Sequence, residues 1–366
     1  MKLLVLQENF SKALQLSSRF VSTRAQLPVL SNVLLKSNKT KLFLLATNLE
    51  ISIATSIGAK VEADGSITIP ARTLSDIVSN LPKGALTLET KDEHLSIEMQ
   101  NFDATLMGIS SSEFPSIPET IPQTAFHIKR EEFTKALSQV VFSASSDETR
   151  PVLTGVLFTT LGDTLVLVGT DGHRLSQKKI NLPDAQKVPN AIVPKSALLE
   201  VTRFGADEEM LSFAVNNEDK QVLFGSGDTV LSSRLIDGEF PPFEKIIPKQ
   251  STVTVRVDHA ELLRAVKVAS VFARDSGYIG KMKVLSDKIE ITAESSKSGS
   301  QKMSVDAKVE GDGIEVMYNL RFVEEFLQVV SGSEITISLT DSNAPGLFQD
   351  SSDKSFLHLI MPVKIQ

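Results

Sequence analysis

Cysteine is absent from the 366-residue chain, which excludes disulfides, thiolate metal sites and cysteine nucleophiles. No stretch approaches the roughly 20 apolar residues that a membrane-spanning helix requires. The N-terminal MKLLVLQENF has neither a long apolar segment nor a small-residue cleavage site. These absences favour a cytoplasmic location. With 41% hydrophobic and 23% charged residues, the composition is that of a globular protein with substantial cores.

Residues suited to catalysis are scarce as well. The chain has five histidines, and no two stand at the spacing of metal ligands on a helix or hairpin. FGSGDTV at 224–230 lacks the third glycine of a dinucleotide fingerprint, and no GxxxxGK[ST] occurs. No GxSxG nucleophile elbow occurs either. We therefore predict no metal, no cofactor and no catalytic site.

One pattern occurs three times along the chain, at intervals of about 125 residues. FSKAL at 10–14 returns as FTKAL at 133–137, and PVLSNVLL at 28–35 returns as PVLTGVLF at 151–158, both 123 positions later. LLRAV at 262–266 is a fainter third copy. A second phrase also recurs, as PARTLSDIV from 70, PKSALLEV from 194 and NLRFVEEFL from 319. The period is too long for a solenoid, so the repeat predicts three domains, at 1–121, 124–248 and 250–366.

Each third combines two amphipathic segments with alternating apolar runs. Apolar residues at helical spacing around Phe10, Phe133 and Leu262 predict the first helix of each third. Asp258 and Glu261 have the spacing of a capping box. A proline or asparagine opens the second phrase and predicts a second helix. Runs rich in Val, Ile, Thr and Phe predict strands. Each third then reads helix, two or three strands, helix and several more strands, an α+β unit with its helices on one face of antiparallel sheet.

The most site-like segment is GTDGHRLS at 169–176. Asp171-Gly172 after an apolar run predicts a tight turn followed by solvated charges. A hydrolase that used His173, Asp171 and a serine is an alternative, but no nucleophile setting completes it.

The predicted helices are basic on an acidic chain. Counting Lys, Arg, Asp and Glu, residues 8–24, 70–83, 129–145, 194–205, 258–274 and 319–331 together carry +5. The whole chain carries −7, which leaves −12 for the remainder. Helices tolerate Lys and Arg well, so propensity alone is one explanation. The other is that the helices share a surface that faces a polyanion.

Several longer segments carry a resemblance that covers the whole chain. They are LPVLSNVLL, ITIPARTLSDIVSNLP, TRPVLTGVLF, TDGHRL, SSRLIDGEFPPFEKIIP and the terminal LIMPV. In this order and spacing the chain resembles the bacterial DNA polymerase III beta subunit family, the replicative sliding clamps. The resemblance implies three clamp domains per chain, forming half of a pseudo-sixfold ring with helices inside and sheets outside. A head-to-tail homodimer would encircle duplex DNA without sequence preference and tether polymerases, without chemistry of its own.

Simple geometry agrees with a ring of twelve helices. At an interaxial spacing of roughly 9 Å, twelve helices close a circle about 110 Å around and about 35 Å across. Subtracting a helix radius of about 5 Å on each side leaves roughly 25 Å, enough for a duplex. Six helices could not close around DNA, so a second copy in a heterologous, closing contact is needed.

Two sets of residues are expected to contact DNA phosphates. The resemblance transfers this role to Arg24, Arg72 and the loop 147–152, which includes Asp147, Arg150, Pro151 and Val152. Charge alone adds Lys12, Lys135, Lys195, Arg203, Arg264 and Lys267. Relatives often have aromatic residues where this chain has Pro151 and Val152, so aromatic contact with DNA at this loop is in question.

The resemblance also implies a pocket for short partner peptides that carry a glutamine and bulky Leu or Phe residues, as in polymerase and clamp-loader subunits. Its walls would be Leu153, Thr170, Gly172, His173, Arg174, Leu175, Pro241, Ile246, Phe322, Leu359, Ile360, Met361 and Pro362, with Lys245, Tyr278 and Asn319 at the rim. An apolar cleft with a few polar groups suits peptide capture.

Ring closure is expected to bring Ala104 and Leu106 of the first domain against Phe272 and Ala273 of the third domain of the partner. Two alternatives stay open beside the clamp. One is a three-domain adaptor that binds proteins but encircles nothing, and the other is the hydrolase that uses His173.

Overall fold

A computed structural model of the chain describes residues 1–22, 27–182, 187–203, 208–297 and 299–364. Six α-helices occur in these ranges: α1 (Gln7–Ser17), α2 (Ala71–Asn80), α3 (Arg130–Val141), α4 (Lys195–Val201), α5 (His259–Ala273) and α6 (Leu320–Val329). The strands of the first third are β1 (Lys2–Leu6), β2 (Asn32–Asn38), β3 (Lys41–Thr47), β4 (Ile51–Gly58), β5 (Lys60–Ala63), β6 (Gly65–Pro70), β7 (Ala85–Lys91), β8 (His94–Met99) and β9 (Phe102–Met107).

The strands of the other two thirds repeat the same order. The middle third has β10 (Phe126–Lys129), β11 (Gly155–Leu161), β12 (Thr164–Thr170), β13 (Arg174–Asn181), β14 (Ala191–Pro194), β15 (Met210–Asn216), β16 (Gln221–Ser226) and β17 (Thr229–Arg234). The last third has β18 (Val253–Asp258), β19 (Ile279–Val284), β20 (Lys288–Ser295), β21 (Gly299–Glu310), β22 (Ile314–Asn319), β23 (Glu334–Leu339), β24 (Gly346–Asp350) and β25 (Phe356–Ile360).

Each third therefore runs strand, helix, four or five strands, helix and three strands. The expectation that each third opens with a helix was wrong, because a strand comes first: β1, β10 or β18. The expectation of two or three strands between the helices was too low as well. The opening strands have only four to six residues, and such short runs give little periodicity from which to recognise them.

The helix signals in the sequence correspond to observed contacts. The Asp258 side chain caps α5 by accepting a hydrogen bond from the Glu261 N–H at 3.0 Å, as the capping-box spacing predicts. Asn319 caps α6 in the same way through the Arg321 N–H at 3.0 Å. The predicted first helix of the chain is shorter than its apolar pattern, because α1 ends at Ser17.

The chain forms two compact units. The first contains Met1–Glu131 and Leu199–Leu235. It holds a five-stranded sheet in the order β5-β1-β7-β8-β9 and an eight-stranded sheet in the order β10-β15-β16-β17-β4-β3-β2-β6. Every pairing within these sheets is antiparallel. Helix α1 lies against α2 and against β3 and β4.

The second unit contains Glu132–Leu198 and Ile236–Gln366. Its twelve strands form one antiparallel sheet in the order β14-β11-β12-β13-β25-β24-β23-β18-β21-β20-β19-β22. One core of this unit gathers buried apolar side chains from α5, α6 and the last eight strands, among them Phe326, Phe348 and Phe356. Helix α5 lies against α6, β20 and β21.

These units do not coincide with the three predicted domains, because sheets continue across the predicted boundaries. In the first unit β17 pairs with β4 from Thr229↔Thr55 to Ser233↔Ile51. In the second, β13 pairs with β25 from Arg174↔Ile360 to Lys178↔Phe356. Antiparallel strand pairing therefore links neighbouring thirds within each unit. Within the described ranges, no helix combines the length and apolar character needed to cross a membrane.

Candidate functional site

The GTDGHRLS segment forms the tight turn between β12 and β13. Gly172 has φ +92°, a conformation that favours glycine. The Asp171 carboxylate accepts hydrogen bonds from the N–H groups of His173 at 2.9 Å and Arg174 at 3.0 Å. The Thr170 hydroxyl accepts from the Gly172 N–H at 3.1 Å and donates to the Arg174 carbonyl at 2.6 Å. The turn is therefore held by side chains at both ends.

Arg174 is the centre of this region, and its side chain is only 9% exposed. Its Nε donates to the Asp171 Oδ2 at 3.1 Å, its Nη2 donates to the Phe142 carbonyl at 2.9 Å, and its Nη1 contacts the Glu325 carboxylate. The guanidinium also lies over two rings, 4.4 Å from the Phe322 centroid and 5.2 Å from that of Phe142. An arginine held by three acceptors and two aromatic rings gives the site a rigid base.

An apolar floor adjoins this arginine. Leu175 on β13 faces Leu359 on β25 in the sheet, and both are buried in one apolar cluster. The Met361 N–H donates to the His173 carbonyl at 2.8 Å, so the chain after β25 runs beside the β12–β13 turn. Half-buried members of the cluster come from the loop before β11, from 236–247 and from β24 and β25: Val152, Ile236, Phe240, Phe243, Ile247, Leu347 and Leu357.

The structure brings most of the predicted pocket residues into one neighbourhood of the second unit. Leu153, Thr170, Leu175, Leu359 and Ile360 are buried; Arg174, Tyr278, Asn319, Phe322 and Pro362 are half-buried; Gly172, His173, Pro241, Lys245, Ile246 and Met361 are exposed. Ile360 is 0% exposed and belongs to the core of α5 and α6, so it supports the wall from behind. Pro241, Lys245 and Ile246 flank cluster members but have no described contact with Arg174 or Phe322.

The loop 147–152 adjoins the same turn. The Asp147 carboxylate accepts from the Thr149 hydroxyl at 2.6 Å, the Thr149 N–H at 3.0 Å and the Arg150 Nε at 3.0 Å. These hydrogen bonds, the one from the Thr149 hydroxyl most of all, lower the pKa of Asp147. A Cβ atom on Gly172 would lie 3.2 Å from Nη1 of Arg150. Pro151 is exposed, but Val152 packs into the apolar cluster, so Val152 does not take the position of a protruding aromatic side chain.

The helix cations divide into two groups. Lys12, Arg72, Lys135 and Lys267 are exposed and make no ion pair with any described residue. Arg264 and Arg203 pair with acidic residues one turn before them, Glu261 at 3.0 Å and Glu200 at 2.9 Å. Arg24, matched to the family, lies outside the described residues.

Lys195 differs from these exposed cations. Its Nζ donates to the Ala144 carbonyl at 3.0 Å, and the residue is half-buried. Burial lowers the pKa of the Lys195 ammonium, and the nearby Arg174 charge lowers it further, against the opposing Glu325 and Asp171 carboxylates. Lys195 therefore belongs to the Arg174 neighbourhood, where its ammonium is already hydrogen-bonded.

The residues predicted to form the ring-closing contact differ in how far they are buried. Ala104 and Leu106 are half-buried on β9, which is one of the two edge strands of its sheet in the described part of the chain. Phe272 is half-buried near the end of α5, whereas Ala273 is 0% exposed. Ala273 therefore has no side-chain surface to offer a partner, and the exposed neighbour Val271, at 58%, has more.

Sequence reasoning missed Glu325 and His358. Glu325 lies four residues after Arg321 on α6, a helical ion-pair spacing that could have indicated it. His358 is fully buried, and its Nδ1 is 2.8 Å from the Ser176 hydroxyl, which is 2.8 Å from that of Ser143. Burial lowers the pKa of His358 well below its usual value, and Arg174 adds to this effect. Among the described residues no three His, Asp or Glu side chains cluster as metal ligands.

Comparison with known proteins covers the whole chain. Three family models match in succession: the DNA polymerase III beta subunit N-terminal domain at 1–118, central domain at 127–242 and C-terminal domain at 244–364. The beta sliding clamp of Synechococcus elongatus is 31% identical over 377 residues, with 100% of both chains covered. That of Staphylococcus aureus is 27% identical over 378 residues, covering 100% of this chain and 99% of its relative.

Solved structures agree. The DNA polymerase sliding clamp from Bacillus subtilis matches with a TM-score of 0.95 at 27% identity, and the DNA polymerase III subunit beta from Pseudomonas aeruginosa with 0.93 at 25%, each over 100% of both chains. The predicted α+β fold of three repeated clamp domains is confirmed. The chain belongs to the DNA polymerase III beta subunit family of sliding clamps, which are processivity factors and not enzymes.

Proposed function

We propose that two copies of this chain close head to tail into a ring around duplex DNA and tether a DNA polymerase to it in the cytoplasm. The observation that carries this proposal is the threefold clamp architecture, which extends over the full length of the chain. We also propose the domain boundaries 1–121, 124–248 and 250–366, which the matched family ranges support. One chain supplies six described helices, half of the twelve that a ring around DNA requires by the spacing argument.

Two free strand edges support the head-to-tail contact. β9 is one edge of the five-stranded sheet in the described part of the chain. The first part of β21 pairs with β20 from Lys288↔Asp306 to Ser295↔Gly299, whereas its pairing with β18 is confined to 307–310. β21 also lies against α5, which carries Phe272. Unpaired edges readily accept a strand from another chain, so β9 of one protomer would pair with β21 of its partner, with Leu106 against Phe272.

The exposed helix cations support loose contact with DNA. Lys12, Arg72, Lys135 and Lys267 have no described acidic partner that would compete with phosphate. Point contacts of this kind bind the backbone without reading sequence. Arg150, which shares its guanidinium with Asp147, adds one contact from the loop 147–152. Arg24, Arg203 and Arg264 remain proposed contacts, whereas Lys195, whose ammonium donates to the Ala144 carbonyl, is proposed to support the Arg174 neighbourhood.

The neighbourhood of Arg174 and Leu175 is proposed as the peptide pocket. Its apolar floor suits bulky Leu or Phe residues, and exposed Met361, at 39%, is an adaptable side chain at its margin. The backbone and polar groups of the β12–β13 turn and of Asn319 would receive the peptide glutamine. A partner polymerase or clamp loader would therefore dock by a short flexible segment.

Ring closure is tested with the double substitution Leu106→Lys and Phe272→Lys, which places like charges opposite each other across the proposed contact. Each change puts a charge into the proposed apolar contact, so we expect the dimer to dissociate into folded monomers in sedimentation velocity. Leu161→Lys, at a leucine 63% exposed on β11, is the matched control and should remain dimeric. If the double variant sediments as a dimer, the proposed interface is wrong.

Retention on DNA separates the clamp from the adaptor and the hydrolase. After loading, the wild-type protein should stay on closed circular DNA and slide off when the circle is cut, because the link is topological. Retention on neither form would favour the adaptor that binds proteins but encircles nothing, and equal retention on both forms would show that the protein binds DNA without encircling it. The hydrolase alternative has little support, because His173 is exposed and has no described serine partner.

A further inference from the structure

Glu325 lies beside the proposed peptide pocket and joins two arginines. Its Oε1 accepts from the Arg321 Nε at 2.9 Å, and its Oε2 contacts the Arg174 Nη1. The Glu325 side chain is 24% exposed and that of Arg174 is 9% exposed, so this contact is largely shielded from solvent. Arg321 and Phe322 precede Glu325 by one turn of α6, on the same side of the helix.

The guanidinium that Glu325 holds also supports an aromatic wall of the pocket. The Arg174 guanidinium lies 4.4 Å from the Phe322 ring centroid, within the range of a cation–π contact. Asp171, in the β12–β13 turn, holds the same guanidinium through its Oδ2, which is 3.1 Å from the Arg174 Nε. Glu325 on α6 and Asp171 in the β12–β13 turn thus hold the Arg174 guanidinium from two sides and fix its plane against the Phe322 ring.

Glu325 also offsets the repulsion between two neighbouring cations, Arg174 and Lys195. The Lys195 ammonium is close enough to Arg174 that each cation disfavours the other, and Glu325 and Asp171 oppose this repulsion. Without Glu325, two half-buried or buried cations would face one carboxylate. Burying the Arg174 charge would then cost more free energy, which would favour a conformation in which this side chain turns toward solvent, away from Phe322.

We propose that Glu325 is a positioning residue of the peptide pocket. It fixes the plane of Arg174, and through that plane it orients Phe322 against the bulky apolar residue of a bound peptide. This proposal rests on the proposed function, in which the pocket binds partner peptides. Glu325 itself does not touch the peptide.

The test is Glu325→Gln, which keeps the shape and removes the charge. The probe is a fluorescein-labelled peptide that carries one glutamine followed by leucine and phenylalanine, titrated by fluorescence anisotropy. We expect about tenfold weaker binding, the loss of one charge-assisted contact. Glu324→Gln is the matched control, since Glu324 accepts only from the Gln328 Nε2 at 3.1 Å among the described residues. Both variants should remain dimeric in sedimentation velocity.

A double-mutant cycle distinguishes positioning from general destabilisation. In a Phe322→Leu background, Glu325→Gln should weaken binding by less than about twofold, because the ring through which it acts is gone. An equal, additive loss in both backgrounds would overturn the positioning role. Glu325→Asp, with the charge on a shorter arm, should lose less affinity than Glu325→Gln, and a larger loss would also overturn it.

Failure of the pocket and failure of the positioning role give different results. If Phe322→Leu and wild type bind the peptide equally, the pocket itself is misplaced. If Phe322→Leu weakens binding and Glu325→Gln does not, the pocket stands and the positioning role of Glu325 is overturned.

Discussion

The cations of α1, α3 and α5 and those around Arg174 are the same residue types in opposite settings. Lys12, Lys135 and Lys267 are exposed and make no described ion pair. Arg174 and Lys195 donate to the carbonyls of Phe142 and Ala144, just beyond the end of α3. A helix C-terminus leaves carbonyls without partners and attracts cations. A positive charge therefore predicts a role only once its partners are known.

The exposed group should carry most of the affinity for DNA. We expect the triple substitution Lys12→Ala, Lys135→Ala and Lys267→Ala to weaken duplex binding by about tenfold or more. The slope of log K against log salt should flatten by about 2.7, since three phosphate contacts are lost. Fluorescence anisotropy with a labelled duplex over a salt series measures both quantities.

Three exposed lysines on strands, Lys60, Lys91 and Lys308, form the matched control. Their triple alanine variant has the same change in net charge and should bind duplex DNA much as wild type does. If the control loses as much affinity, position on the helices does not matter and the contrast between the two groups is wrong.

Lys195 sharpens the same comparison, because charge alone predicts a DNA contact and the structure engages its ammonium elsewhere. Lys195→Met should leave the duplex affinity unchanged within about twofold and lower the melting temperature, since the Ala144 carbonyl loses its donor. Lys135→Met should do the reverse, with about two- to threefold weaker binding and an unchanged melting temperature. A Lys195 variant that binds DNA more weakly than the Lys135 variant would contradict this assignment.

His358 provides the most specific effect, because protonation would add a buried positive charge near Arg174. Burial and Arg174 lower the pKa of His358 well below its usual value of 6.5. Since the unfolded chain takes up this proton near pH 6.5 and the folded chain does not, the contribution is complete above pH 6.5 and declines as the pH falls below it. The free energy of unfolding should fall by up to about 1.4 kcal/mol per pH unit from this one group.

The measurement is the melting temperature by calorimetry between pH 7 and pH 5. His358→Phe, which keeps a ring between Phe142 and Phe326, should show a flatter decline than wild type. His94→Gln, at an exposed position, should decline as wild type does. Parallel curves for wild type and His358→Phe would show that the buried histidine is not the source.

Much of the fold was predictable from local pattern. The repeats placed a pair of helices in each third, and the Asp258 and Asp171-Gly172 signals correspond to a helix cap and a turn. The opening strands β1, β10 and β18 were missed because they are short and are stabilised by strands far along the chain. β1, for example, pairs with β7 from Lys2↔Glu89 to Leu6↔Ala85.

The candidate site was predictable in part. Resemblance identified Arg174 and Phe322, and the structure places the guanidinium of one against the ring of the other. The resemblance did not identify Glu325. The sequence also did not indicate that Ala273 is fully buried or that the Lys195 ammonium is already hydrogen-bonded. Burial and partnership depend on which elements pack together, and composition does not record that.

By itself, the sequence determined the threefold repeat, the α+β character, the helix caps and the basic helices on an acidic chain. These properties depend on neighbours within a few turns, where periodicity and hydrogen bonding are local. Only the tertiary structure decided which cations remain exposed and which are paired with an acceptor. Arg174 and Glu325, for example, are in contact although they are 151 residues apart in sequence. Contacts of that range arise from sheet pairing and core packing, which place distant residues side by side.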